Sequence, residues 1–427
     1  MARKILPLTI KAVLIYAAFF FFSCEMRETR AAVLWTDRPE FVFYAEQFNA
    51  SQDRYRVEVH YLESPAQKLT ELPARASGAG GESPDMVAAS WIKGSSTRAM
   101  FRTLDNLFSK DSGTWGFFYP RLLSLGKINN RQYLLPVSFN IPAMVFNSEY
   151  SDAMSNSFTI SMEEIKELGM AYNIEANGGY TRMGFSPAWN DEFIFISATL
   201  FNVGFREASP IDWDPAVLEQ AMIWIQNWIY EANTSFQAHD DFVFRYCYDP
   251  PAKLISSGRI LFNFMNSHEL FILAEEYRMN LDFRWISEND SIPLDEDAVY
   301  FGIHRRAKSG KAAQAFARWF FNTDTQRLLL ENSSSKRILE TSFGISGGFS
   351  AMRTVTEQIF PLYYPSLLGR MPPESFLIPH DILPHDWMAI KERVILPYLG
   401  ERIRHTSADE IRSLERRISD WNRLNRN

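Results

Sequence analysis

Between Asn129 and Asn147 the chain reads Asn-Asn-Arg-Gln-Tyr-Leu-Leu-Pro-Val-Ser-Phe-Asn-Ile-Pro-Ala-Met-Val-Phe-Asn, and no other run narrows the possible folds as much. Asn129-Asn130 signals a tight turn, because asparagine tolerates the left-handed backbone such turns need. Tyr133 to Val137 is apolar and β-prone, and Pro136 cannot donate to a ladder, so it marks a strand end or an edge. Ser138, Phe139 and Asn140 form a polar kink, Pro142 interrupts again, and Ala143 to Phe146 is a second apolar run stopping at Asn147. A strand, a kink and another strand describe a chain crossing between two structural units.

Length agrees with two units, since 427 residues exceed one ordinary core. With 46% hydrophobic and 22% charged residues the chain is globular, which excludes disordered and collagen-like classes. Setting aside residues 1–23, with Arg3, Lys4 and Lys11, leaves 41 basic against 51 acidic residues, a net charge of −10. That balance argues against nucleic acid, whose binding is driven by Lys and Arg.

Residues 1–23 read as a signal peptide: Arg3 and Lys4 are its positive start, Ala12 to Phe22 its apolar stretch, and Ser23 the small residue before Cys24. Phe21-Phe22-Ser23-Cys24 resembles a bacterial lipobox, so Cys24 is the expected lipidation site and residues 24–30 a tether. The competing reading is an uncleaved anchor, although Lys11 keeps the apolar run short of the roughly 20 residues a membrane helix needs. Both readings export the body. With Cys24 lipidated, only Cys247 remains, so no intrachain disulfide is expected.

Ala31 to Trp35, the periodic helix Phe41 to Phe48 and the alternating strand Arg56 to Tyr61 form a β-α-β opening, which implies a parallel sheet. A helix over Gln67 to Ala76 and a buried strand over Pro84 to Ala89 follow, the latter ending at Ser90-Trp91. Ser161 with Glu164 is a capping box, and Asp214-Pro215 a cap with a first-turn proline. Short strands are expected over Gly184 to Ser186 and Ile260 to Phe264, and an apolar helix over Phe193 to Phe201. Ala298 to Ile303 reads as a return crossing and 332–350 as a last one. The helices between and after them are Lys311 to Phe321, Thr325 to Glu331 behind a Thr323/Gln326 box, Trp387 to Arg402, and Ser407 to Trp421 behind a Ser407/Glu410 box.

In this order the segments resemble the extracellular solute-binding proteins of ABC importers, the sugar-binding type in particular. The crossing at 129–147, Trp35 at its strand end, Pro84-Asp85 and Leu104-Asp105 carry the likeness, with Arg259 to His268 and the helix pair after Lys311; it covers residues 35–425. Departures are Arg131-Gln132 for Gly-Lys, Leu134 for a small residue, Arg259 for Lys and His268 for an aromatic. The resemblance implies a two-lobed α/β fold, each lobe a mainly parallel sheet flanked by helices. Residues 31–138 with 298–335 would make the first lobe, and 139–297 with 336–427 the second. Passages near 138–142, 296–300 and 340–346 would act as hinges. It further implies a monomer on a bacterial membrane, facing the periplasm and handing its solute to a permease, with no cofactor and no catalysis.

Ligands of open α/β sheets bind beyond the carboxyl ends of the strands. Those ends supply Trp35, Asp37 and Arg38; Trp91; Phe139 and Asn140; Trp189, Asn190 and Asp191; and Asn266 and His268, with Phe349 from the last passage. Rings cover the apolar faces of a sugar, and amides, carboxylates and guanidinium groups satisfy its hydroxyls. One such tryptophan alone is more often core; five ends on one edge favour a cleft. Asp37 and Asp191 also suit a cation such as a polyamine, and a peptide ligand or an interaction module without transport stay open. Gly344-Ile345-Ser346-Gly347-Gly348 matches the nucleophile elbow of Ser hydrolases, but no hydrophobic strand precedes it. His380-Asp381 and His385-Asp386 do not share one helix face, which disfavours a metal.

Overall fold

The computed structural model describes residues 30–72, 83–108, 114–176, 178–336, 341–405 and 407–425; the expected signal peptide, Cys24 and part of the tether lie outside them. β1 (Ala32–Thr36) is followed by the helix Glu40–Ser51 and β2 (Val57–Tyr61), which pairs parallel to β1. β3 (Met86–Ala89) pairs parallel on the other side of β1. Every residue of β1 and β3 is buried, as in strands covered on both faces. The helix turns Phe41, Tyr44, Ala45 and Phe48 inward, and Phe48 meets Phe316 and Trp319 edge-on at 5.4 Å.

β4 (Leu135–Phe139) and β5 (Pro142–Asn147) are the two apolar runs of the crossing. Asn129 and Asn130 take φ of 48° and 62° in the turn of a small hairpin ahead of them. β4 belongs to one sheet and β5 to the other. The second sheet adds β6 (Thr159–Ile160), β7 (Phe262–Asn266) and β8 (Leu281–Ile286), while β9 (Val299–Ile303) and β10 (Phe349–Ser350) return to the first. The strand orders are β10-β4-β9-β3-β1-β2 and β7-β5-β8-β6.

The expectation of mainly parallel sheets is corrected here. Within these two sheets β1 with β2, β1 with β3, and β8 with β6 are parallel; β9 and β10 run antiparallel to their neighbours, as β5 does to β7 and β8. β1, β3 and β4 run toward the waist between the sheets. β9 and β10 enter from the other lobe and must run away from it. Phe349 and Ser350, which the sequence reading put in the second lobe, therefore pair with β4 in the first. Pro136 lies inside β4, where β10 provides no ladder partner because it reaches only Phe139 and Ser138.

Several local signals act differently from expectation. Gly184 to Ser186 makes no strand, only a bridge from Met183 to Ile260. Ser161 accepts from the Glu164 amide at 3.1 Å, but the Glu164 carboxylate turns to Ser155 instead of closing the box. Asn322, not Thr323, caps the helix Thr323–Ser335. Ser407 starts a single 3-10 turn, and the last helix is Leu414–Asn425.

At the waist three passages lie side by side. The Asp295 amide donates to the Asn140 carbonyl at 2.9 Å, the Asn140 Nδ2 to the Gly347 carbonyl at 3.0 Å, and the Ser138 hydroxyl to the Ser346 carbonyl at 3.2 Å. Asn140 Oδ1 also accepts from the Ser267 hydroxyl at 2.6 Å, which ties in the second lobe. Asn140→Ala leaves the Ser267 hydroxyl without its acceptor and the Gly347 carbonyl to His268 alone, so it is expected to lower stability by on the order of 2 kcal/mol. Urea unfolding measures this, and an unchanged midpoint would show that the passages are tied elsewhere.

Candidate functional site

The carboxyl ends of β1 and β3 meet the start of the return passage. Arg38 Nη2 donates to Ser90 Oγ at 2.9 Å and to the Asp297 carboxylate at 2.8 Å, and Ser90 Oγ donates to the Asp297 carbonyl at 2.8 Å. Asp37 Oδ2 accepts from the Ser90 amide at 3.1 Å. Burial raises the Asp37 carboxyl above its ordinary value, with Arg38 opposing. Burial also works against the Arg38 charge, but Asp297 and Asp37 more than offset it and hold the guanidinium protonated. Asp37 Oδ1 and Arg38 Nε stand 3.6 Å apart, too far for a hydrogen bond, and neither has another partner.

These groups and Trp91 form one wall of a cavity of about 530 Å³. The opposite wall comes from the second lobe: His385, Asp386, Met388 and Glu392, on or just before the helix that runs through 387–402. That helix packs on the second-lobe helix Asp191–Leu200, and Lys391 fastens it by pairing with Glu192 at 2.6 Å and with the buried Glu296. Although burial opposes ionisation of both, their mutual attraction keeps Glu296 low and Lys391 high. Asp295, half-buried beside Glu296 and Asp297, is pushed well up by burial and then by their charges. Cavities of about 510 and 690 Å³ near Trp213 are as roomy, but both are lined by second-lobe elements alone.

Trp91 has φ of 61°, a left-handed backbone that a bulky side chain adopts only under strain. Such strain collects at working sites. Across the mouth the lobes touch: the Glu207 carboxylate accepts from the Ser95 amide at 3.0 and 2.8 Å and from its hydroxyl at 3.0 Å, and Ser96 Oγ lies 3.2 Å from His385 Nδ1.

Of the twelve residues expected at the ligand, Asp37, Arg38 and Trp91 line this cavity. Trp35 does not; β1 is buried on both faces, so its ring joins the core. Phe139 and Phe349 are core too, 5.8 Å apart among Phe343, Phe360 and Tyr119. Trp189 stacks on Phe242 at 5.9 Å inside the second lobe. Asn190 caps the Asp191–Leu200 helix, Asn266 forms a capping box with Glu269, and Asp191 lies against Gly400. Asn140 and His268 both bond the Gly347 carbonyl and belong to the waist. The residues that sequence reasoning missed are Glu63, Asp297, Asp386 and Glu392. Asp297 had a signal, in the passage near 296–300, and Asp386 was weighed only beside His385 as a disfavoured metal pair.

Ser346 Oγ is buried and bonded to nothing, while the nearby His268 ring bonds Gly347, so no nucleophile–base pair exists there. His380 stacks on Phe195 and His385 meets Ser96, and among the described residues no group of three or more His, Cys, Asp or Glu is placed to hold a metal. Among the described residues no helix is long and apolar enough to cross a membrane.

No family model and no curated protein matches the sequence. Solved structures do match in three dimensions. CpMnBP1 with mannotriose bound is 12% identical with a TM-score of 0.60, covering 91% of this chain and 98% of its own. An ABC substrate-binding protein from Listeria monocytogenes in complex with cycloalternan is 13% identical, TM-score 0.59, covering 92% and 98%. The cyclic alpha-maltosyl-1,6-maltose binding protein from Arthrobacter globiformis is 15% identical, TM-score 0.59, covering 91% and 96%. The chain thus has the two-lobed fold of these proteins over nearly all of its length.

Behind Trp91, Lys93 is buried with Nζ 4.6 Å from the Tyr300 ring centre, and burial pushes its ammonium down to about 8 from the ordinary 10.5, Asp297 opposing. Between those values the unfolded chain keeps a proton that the folded chain has lost, so this group makes stability rise with pH. Below pH 8 both states hold it and folding bears the full penalty. Lys93→Met is expected to exceed the parent in stability at pH 7, with the gap narrowing by about 2 kcal/mol by pH 10. Parallel denaturation at the two pH values tests this, and a constant gap would refute it.

Proposed function

We propose that this chain captures a small solute, a carbohydrate, in the cleft between its lobes and hands it to the membrane permease of an ABC importer. One observation carries the reading. Asp37, Arg38 and Trp91, each placed just beyond the end of a first-lobe strand, share one wall of a cavity whose other wall comes from the second lobe. Carboxylate and guanidinium groups are the kind that bond sugar hydroxyls. Trp91 on the same wall offers a ring for the apolar face of a sugar. Proteins of the same fold hold mannotriose and cycloalternan, which supports the solute class.

In this reading the chain binds without transforming. It is exported, held to a bacterial membrane by lipid on Cys24, and faces the periplasm, where its partner is the permease. The passages at 138–142, 296–300 and 340–346 are the hinges. Solute contacts made only in the closed form favour closure. Glu207 at the mouth adds to closure without touching the cavity.

A thermal-shift panel of mono- and oligosaccharides is expected to raise the melting point, because a solute held only by the native state stabilises it. No response to any sugar would overturn the assignment. Trp91→Gly keeps the left-handed backbone and removes the ring, so affinity should fall at least about tenfold, alongside a lowered melting point because the ring is largely buried. Unchanged affinity in titration calorimetry would remove Trp91 from the site. Glu207→Ala should weaken the same sugar by about threefold through loss of the closed form, with no change in the refolding yield.

A further inference from the structure

We infer that Glu207 and Gly94 latch the two lobes together without help from the solute, so that the chain alone spends most of its time closed. The inference goes beyond the solute-binding reading and needs only the two-lobed fold. Just past Trp91 the first lobe makes a short helix, Ser95–Arg98, whose first amide has no partner inside the helix. The buried Thr97 hydroxyl donates to the Ile92 carbonyl at 2.8 Å and fixes this turn. The Ser95 amide and hydroxyl are answered from the second lobe, by the Glu207 carboxylate, with contacts of 3.0, 2.8 and 3.0 Å. Glu207 is held from behind in its turn. Its amide donates to the Ile382 carbonyl at 2.7 Å, and Arg206 exchanges backbone hydrogen bonds with Asp212 at 2.9 and 3.1 Å. The strip leading to Ile382 is tied to the second lobe, where Leu377 pairs with Ile292 and His380 stacks on Phe195.

Gly94 is the steric half of the latch. A Cβ there would stand 3.1 Å from Glu207 Oε1 and 3.2 Å from the Leu383 carbonyl oxygen. The carboxylate can swing away, whereas the carbonyl belongs to backbone and cannot. Gly94 itself has φ of −61° and ψ of 161°, a conformation open to any residue. Its lack of a side chain therefore serves the facing lobe and not its own turn. Gly94, Ser95, Glu207 and Leu383 all stand outside the cavity lining, so their contacts need no solute. A carboxylate bonded to an amide and a hydroxyl is stronger than a neutral pair, and the partial exposure of Glu207 tempers it. The expected contribution is about tenfold in the ratio of closed to open. Part of that cancels in the affinity, because the latch shuts the solute-free chain as well. This is why Glu207→Ala costs a sugar only about threefold.

The test follows lobe separation in the full-length chain with no sugar present. Spin labels are carried by non-natural residues at the exposed positions Asp53 and Glu167, one in each lobe, and the distance distribution between them is measured. One short component, that of the closed form, is expected to dominate. Glu207→Ala should raise the ratio of open to closed about tenfold, Gly94→Ala at least about threefold, and Glu207→Gln, which keeps one acceptor oxygen, less than Glu207→Ala. Near-UV circular dichroism matching the parent shows that the variants are folded, and Glu207 on its surface loop leaves both cores untouched. A parent that is open without sugar, or an alanine variant that stays closed, would overturn the inference. No sugar enters the measurement, so its failure leaves the solute-binding reading standing. Silence of every sugar in the thermal-shift panel would likewise leave the latch intact.

Discussion

The architecture depends on the side chain of Asn140. Its amide nitrogen holds the last passage through Gly347, its oxygen holds the second lobe through Ser267, and its backbone carbonyl holds the return passage through Asp295. An amide donates from its nitrogen and accepts at its oxygen without charge, so one side chain serves two partners. In the buried waist each bond is stronger than in water, and each unmade bond is costly. Three passages pinned at one level leave two sheets facing each other across a short span, and the cavity follows from that spacing.

Charges are layered along the return passage in a way that suits this spacing. Asp297 turns to the first lobe and takes Arg38, while Glu296 turns to the second and takes Lys391. Both acids sit in the turn that precedes β9, and from it one cation in each lobe is reached. Buried pairs of this kind add little net stability over apolar packing, but losing one partner is severe. They specify how the lobes sit on the passage.

Much of the fold was legible because its signals are local. The turn at Asn129-Asn130, the cap at Asp214 and the βαβ opening depend on neighbours within a few residues, and each forms. The site was legible only in part. Asp37, Arg38 and Trp91 follow the ends of strands that reach the cleft, and the reasoning from strand ends found them. The same reasoning misassigned Asn190 and Asn266, whose side chains cap the helices beginning just after them. A short polar residue after a strand serves a ligand or a helix equally well, and only the geometry of the next turn decides.

The sequence alone determined the two-unit organisation, the crossing at 129–147 and the class of the fold, since periodicity and turn chemistry act at short range and survive outside any tertiary context. Tertiary structure decided which aromatic rings are core and which face the cleft. Trp35 and Trp91 both end or follow a buried strand and both are largely buried, yet Trp35 lies between the two covered faces of the sheet while Trp91, in a left-handed backbone, reaches the cavity lining. Tertiary structure also supplied the second wall, because Asp386 and Glu392 stand almost three hundred positions from Trp91 and come near it only through the packing of the 387–402 helix on the second lobe. Contacts between residues so far apart leave no trace in local pattern, for they arise from how whole elements fill space.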